Sequence, residues 1–203
     1  MRRAVGAGLV LAAVAAGCGS GPTGGSETPY DFAFEDPAAD TVAATENPDS
    51  VAAVDLVAVS GRVDGSRVEL TLEFAEPVAR WSDHQPNSLD GFVFFDVNQD
   101  PGSGFANRLG PRVAGAEFYL DLRDDGLGHV GLVDFTKKVL TALSFRLDGR
   151  TLRIEVPRSK LETTSDSDNK LNLRVEVGAR GRSPLTDGAA NDSVYVLEPP
   201  EEP

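Results

Sequence analysis

Cysteine is almost absent from this chain. Cys18 is the only one, so no internal disulfide can form and the fold must be held by its core alone. Histidine is nearly as scarce: His84 and His129 are the only two. They lie in separate loops without the helical spacing of a zinc protease. Basic charge is short as well. Lys and Arg number 19 against 32 Asp and Glu, giving a net charge of −13, and a chain without basic patches is poorly matched to nucleic acid, whose binding uses Lys and Arg to neutralise phosphates. No nucleophile elbow occurs, since Gly102-Ser103-Gly104 is not the Gly-x-Ser-x-Gly that must stand between strand and helix. With so many carboxylates, nothing singles out a pair for glycoside hydrolysis. The sequence therefore reads as a protein that is not an enzyme.

The N-terminus carries the clearest signal. Arg2 and Arg3 precede the uncharged run Ala4–Ala16, and small residues lead to Ala15-Ala16-Gly17-Cys18. This is the order of a secretory signal peptide, and the run falls short of the roughly 18 to 20 residues a bilayer-spanning helix needs. An exported protein with one thiol calls for an explanation. Ala15-Ala16-Gly17-Cys18 resembles a bacterial lipobox, with Ala15 where Leu is usual, and this implies cleavage before Cys18 and acylation of that cysteine. The rival reading is cleavage after Ala13-Val14-Ala15, leaving Cys18 a free thiol. Loss of the two leader arginines takes the net charge from −13 to −15.

Four segments follow: a lipoprotein signal peptide at 1–17, a lipid-anchored flexible linker at 18–50, a folded domain at 51–197 and a disordered tail at 198–203. The linker opens with Gly19-Ser20-Gly21-Pro22-Thr23-Gly24-Gly25-Ser26, a composition that keeps a chain flexible. Tyr30–Phe34 is an optional edge strand within it. The place of work is the extracytoplasmic side of a cell envelope. In a host with two membranes the outer one is favoured, since Gly19 and Ser20 lack the Asp that tends to retain such proteins at the inner membrane.

From residue 53 the hydrophobic period is two. Val68, Leu70, Leu72 and Phe74 alternate with Glu69, Thr71 and Glu73, as in a strand with one wet face. Asp64-Gly65 and Asp148-Gly149 mark tight hairpins. Gly91–Val97 is apolar on both faces and reads as a central strand. Similar runs recur at 116–123, 130–135, 143–147, 152–156, 171–177 and 193–197, and Pro157–Glu162 suits one short helical turn. Eight or nine short strands without an amphipathic helix predict an all-β, antiparallel, jelly-roll-like sandwich.

Two loops carry chemistry. In Asp96-Val97-Asn98-Gln99-Asp100-Pro101-Gly102, oxygens at alternate positions after a strand can turn toward one point, as calcium requires. Pro101 and Asn107 exclude an EF-hand, which needs Gly and Glu at those places. The bland alternative is that Asp96, Asn98 and Asp100 only cap a turn through backbone hydrogen bonds. In Arg80-Trp81-Ser82-Asp83-His84-Gln85-Pro86-Asn87, an aromatic ring stands in a strongly polar loop, which makes Trp81 and His84 candidate ligand contacts. The alternative for Trp81 is a plug at the end of the sandwich. Tyr119 and Tyr195 occupy strand positions that face outward.

A resemblance covers roughly residues 51–197. Phe94-Phe95-Asp96-Val97-Asn98-Gln99-Asp100-Pro101-Gly102-Ser103-Gly104, then Gly115-Ala116-Glu117-Phe118, then Ile154-Glu155-Val156-Pro157-Arg158-Ser159-Lys160-Leu161 resembles the DOMON-like domains related to family-nine carbohydrate-binding modules. Asn98 departs from a usual Asp and Phe118 from a usual Tyr. The resemblance implies a jelly-roll-like sandwich and calcium at Asp96, Asn98 and Asp100, with Glu117 as a fourth ligand. It also implies glycan binding by a non-catalytic module. The alternative is a structural or assembly lipoprotein that binds another envelope protein, and a hydrolase stands below both.

Overall fold

The computed structural model of the chain describes residues 29–36, 54–100, 104, 115–162, 170–179 and 195–198. Within them ten strands form: β1 (Tyr30–Glu35), β2 (Leu56–Val63), β3 (Arg67–Phe74), β4 (Leu89–Asp96), β5 (Phe118–Asp121), β6 (His129–Asp134), β7 (Val139–Asp148), β8 (Thr151–Pro157), β9 (Leu171–Ala179) and β10 (Tyr195–Leu197). Two 3₁₀ turns, Trp81–Asp83 and Arg158–Lys160, interrupt them. The predicted lipobox with Cys18 lies outside the described residues.

All pairings are antiparallel, in the order β1-β2-β3-β8-β7-β6-β5-β4-β9-β10. The sheet folds over at β7, whose first half pairs β6 from Val139 to Ser144 and whose second half pairs β8 from Phe145 to Asp148. One long strand thus serves both layers, and the all-β antiparallel sandwich is the observed fold. The expected edge strand is real: β1, in the stretch assigned to the linker, pairs along β2 and turns Phe32 and Phe34 toward the core.

The alternation explains the core. Val68, Leu70, Leu72 and Phe74 of β3 point inward with Leu152, Ile154 and Val156 of β8. They meet Val93 and Phe95 of β4, Phe118 and Leu120 of β5, and Leu171, Leu173, Val175 and Val177 of β9. Burying such side chains contributes about 1.5–3 kcal/mol each, so a domain without disulfides has its main support here. β4 is central, between β5 and β9. Because side chains alternate across a strand, Asp90, Phe92, Phe94 and Asp96 lie together on its other, outward face.

Glycine is needed where β1 crowds onto β2. A Cβ on Gly61 would stand 2.7 Å from the Phe32 ring and closer still to the Glu69 carbonyl, so β1 lies on β2 through Phe32 only because position 61 has no side chain.

Candidate binding face

The outward face of β4 and its neighbours carries a second apolar cluster. Phe94 and Ala116 are buried there, with Phe92 and Tyr119 packed against them, apart from the main core. Phe92 and Phe94 stand 5.9 Å apart, and Tyr119 meets Phe92 edge-on at 5.8 Å and Phe94 at 6.4 Å. These are favourable aromatic geometries, worth about 0.5–1.5 kcal/mol per pair beyond area burial. Tyr119 is opposite Phe94 across the β4–β5 ladder, and Asp121 is opposite Phe92.

Charged groups border this stripe in fixed pairs. The Arg123 guanidinium grips Asp121 with Nε at 2.8 Å and Nη2 at 2.6 Å, a fork geometry that holds the plane in place. That plane lies over Phe92 at 5.3 Å and over Trp81 at 5.9 Å, so Arg123 links the predicted ligand tryptophan to the aromatic stripe. Asp90 stands 3.9 Å from the same guanidinium. Burial pushes the Asp90 carboxyl above its usual range, partly offset by Arg123. On the β9 side, opposite Phe94, the buried Arg174 holds Glu176 at 2.8 Å.

The Trp81 loop is tied down rather than loose. Buried Asp124 accepts the Ser82 N–H at 3.0 Å, the Ser82 hydroxyl at 2.7 Å and the Gly126 N–H at 3.0 Å. Burial pushes the Asp124 carboxyl up, but these bonds outweigh it and hold the group below its ordinary value. Ser88 closes the loop from below, accepting the Gln85 N–H and donating to the Arg80 carbonyl. His84 ends the 3₁₀ turn in a left-handed conformation, φ 56°, and its N–H donates to the Trp81 carbonyl. The structure assigns it this backbone role at an exposed turn. His129 begins β6 rather than sitting in a turn, and its ring pairs with Asp125 at 3.0 Å.

The predicted cation ligands lie at the other end of β4. From Asp90 to Asp96 the strand advances about 20 Å, so Trp81 with His84 and the Asp96 loop stand at opposite ends of one aromatic stripe. Around Asp96 several of the oxygens already accept hydrogen bonds. Glu117, buried, accepts the Val97 N–H through Oε2 at 3.0 Å, and Asn98 Oδ1 accepts the Asp100 N–H at 2.8 Å. Asp96 Oδ2 accepts the Asn172 amide at 2.9 Å. Among the described residues no three His, Cys, Asp or Glu side chains group as a metal site. Two buried oxygens nevertheless have no hydrogen-bond partner among the described residues, Asp96 Oδ1 and Asn172 Oδ1. Gly115 is beside Asp96, φ 104°, where a Cβ would come within 2.8 Å of the Asp100 carbonyl and 3.2 Å of Asp96 Oδ2.

Sequence reasoning missed Asn172, Arg123, Asp124 and the phenylalanines of the stripe. Only the stripe had a signal, in Phe92 and Phe94 at i and i+2 of a strand already apolar on its other face. Asn172 becomes visible only through its register with Asp96. No protein-family model matches the sequence, and a search of curated proteins finds no match.

Proposed function

We propose that this chain is a non-catalytic binding module of a bacterial cell envelope, anchored by lipid on Cys18, that takes a neutral glycan on the outward face of β4 and β5. One observation carries the reading. Trp81, Phe92 and Tyr119 are half-buried on that face, Trp81 and Phe92 joined through Arg123 and Tyr119 edge-on to Phe92, instead of filling the main core. Sugar rings present apolar C–H faces that suit aromatic rings, and hydroxyls at their rims that suit charged groups. Asp121, Asp90 and Glu176 supply acceptors beside the rings, Arg123 supplies donors, and buried Arg174 offsets the charge of Glu176, in near balance of sign. Their mutual pairing presents a ligand with no strong net field, which favours an uncharged one over an ionic one.

Calcium belongs to the same proposal as a brace for the rim. It takes six to eight oxygens, and a buried oxygen without a partner costs free energy that a cation would recover. Asp96 and Asn172 are the side chains that would hold it, near the Asp100 carbonyl, with Gly115 leaving the room. Glu117 and Asn98 already serve the loop's own N–H groups and act as its internal frame.

The test is titration of the purified chain against a panel of neutral and acidic glycans, with Phe92→Ala and Trp81→Ala alongside. Binding of a neutral glycan, weakened about tenfold or more by each substitution, is expected, a tenfold loss being about 1.4 kcal/mol. Absence of any glycan binding, or binding indifferent to both substitutions, removes the reading.

A further inference from the structure

The large exposed apolar side chains are not scattered evenly. Of Leu127, Phe135, Val139, Leu140 and Val196, three fall within six consecutive exposed residues, Phe135-Thr136-Lys137-Lys138-Val139-Leu140. Phe135–Lys138 form the turn from β6 to β7, a place ordinarily given to small polar residues, and Val139 and Leu140 open β7 beside it. Leu140 is 69% exposed and Val139 51%. The turn is well built. Asp134 accepts the Thr136 hydroxyl at 2.7 Å and the Lys137 N–H at 2.8 Å, and Lys138 takes the left-handed conformation, φ 55°. Two lysines side by side stand out in a chain of net charge −13, even with Lys137 3.2 Å from Asp134.

The register says where this tip points. Tyr30 pairs with Val63, Val63 with Val68, and Val68 with Val156. β8 runs antiparallel to β7, Ile154 facing Phe145, so the Val156 end of β8 lies toward the Val139 end of β7. The chain therefore enters the fold, at Tyr30, from the end that carries the β6–β7 turn. Tyr30 follows Cys18 by 12 positions. A connection of that length cannot reach beyond about 40 Å even fully extended, so a lipid on Cys18 would keep this end beside the bilayer. Trp81, Arg123 and the Asp124–Gly128 loop belong to the opposite end, beyond the Phe92–Asp121 pair.

We infer that the β6–β7 tip, Phe135 to Leu140, is a second and peripheral membrane contact, seating its apolar side chains at the headgroup boundary while Lys137 and Lys138 meet anionic lipid. This rests on the reading of Cys18 as the lipid anchor. Apolar side chains flanked by lysine gain from that boundary both by burial and by charge. The tether makes the second contact intramolecular, so a weak affinity suffices to fill it. The domain then stands end-on, with the Trp81 end aimed away from the bilayer. An acidic protein surface is otherwise repelled by anionic lipid, and the two lysines place attraction at the one end that the tether brings close.

The experiment uses the full acylated chain in vesicles of phosphatidylethanolamine and phosphatidylglycerol. Val139→Trp on a Trp81→Phe background leaves the tip as the only tryptophan reporter. Emission should shift to the blue on vesicles and be quenched by brominated acyl chains several-fold more than in Lys137→Glu/Lys138→Glu, with raised salt weakening the difference. If the chain floats with the vesicles but the reporter stays unshifted and unquenched, the anchor stands and the tip contact falls. If the chain does not float at all, the Cys18 reading falls and this inference with it. A blue shift that needs no vesicles and grows with protein concentration assigns the tip to a second copy of the chain, which also overturns the inference.

Discussion

Replacing Asp124 by alanine tests whether the Trp81 loop is held by the network described above. The carboxylate is 6% exposed and accepts three hydrogen bonds, two from Ser82 and one from Gly126. Bonds to a charged group contribute about 1.5–3 kcal/mol each. Ser82 is only half-buried, so water recovers part of the loss, and Asp124→Ala is expected to destabilise by about 3 kcal/mol. For a domain of this size that lowers Tm by about 6–12 °C. Asp124→Asn keeps an acceptor and the shape, and should lose less. The pH dependence adds a sign. The folded pKa is depressed below the ordinary carboxylate value of 3.8, so the stabilisation is complete above about pH 4 and disappears as the pH falls through the folded value. Calorimetric melting of both chains from pH 7 to pH 2 should therefore give a constant gap that closes only below about pH 4. Equal melting at pH 7, or a gap that persists unchanged at pH 2, would refute the argument.

Calcium in large excess over its Kd should raise the wild-type Tm by about 5–10 °C, equivalent to about 2.7 kcal/mol at a hundredfold excess; chelator reverses this, Asp96→Asn abolishes it, and a wild type indifferent to calcium contradicts the brace. Asn172→Leu should abolish it as well, which separates the proposed set of Asp96 and Asn172 from one that uses Asn98 and Glu117. Gly61→Val should cost about 1–3 kcal/mol by overpacking and release β1, read as faster proteolytic cutting ahead of Leu56; wild-type resistance to protease would count against the close approach of Phe32.

Much of the fold was legible because a sandwich writes its layers into a period of two. Val68 to Phe74, Leu152 to Val156 and Leu171 to Val177 each show which side is buried, and Asp64-Gly65 and Asp148-Gly149 show where the chain turns back. The eight or nine strands predicted after residue 53 correspond to nine in the structure, and the tenth is the edge strand left optional at Tyr30. Its docking was harder to read, since it depends on Gly61 offering a space thirty residues later. The candidate face was less legible still. Phe92 and Phe94 announced only an apolar outward face, and no periodicity reports that Arg123 would lie flat between Trp81 and Phe92.

Sequence alone determined the strand pattern, the leader with its single cysteine as an expectation, and the two loops worth attention, since side-chain alternation and local turn chemistry act between near neighbours. Tertiary structure decided what those loops touch. It put Trp81 and Asp96 at opposite ends of one stripe, committed Glu117 to the Val97 N–H, and brought Asn172 to Asp96 across 76 positions of chain. Such contacts follow from strand register, which is fixed by the packing of two whole faces against each other and so cannot be read from any one segment.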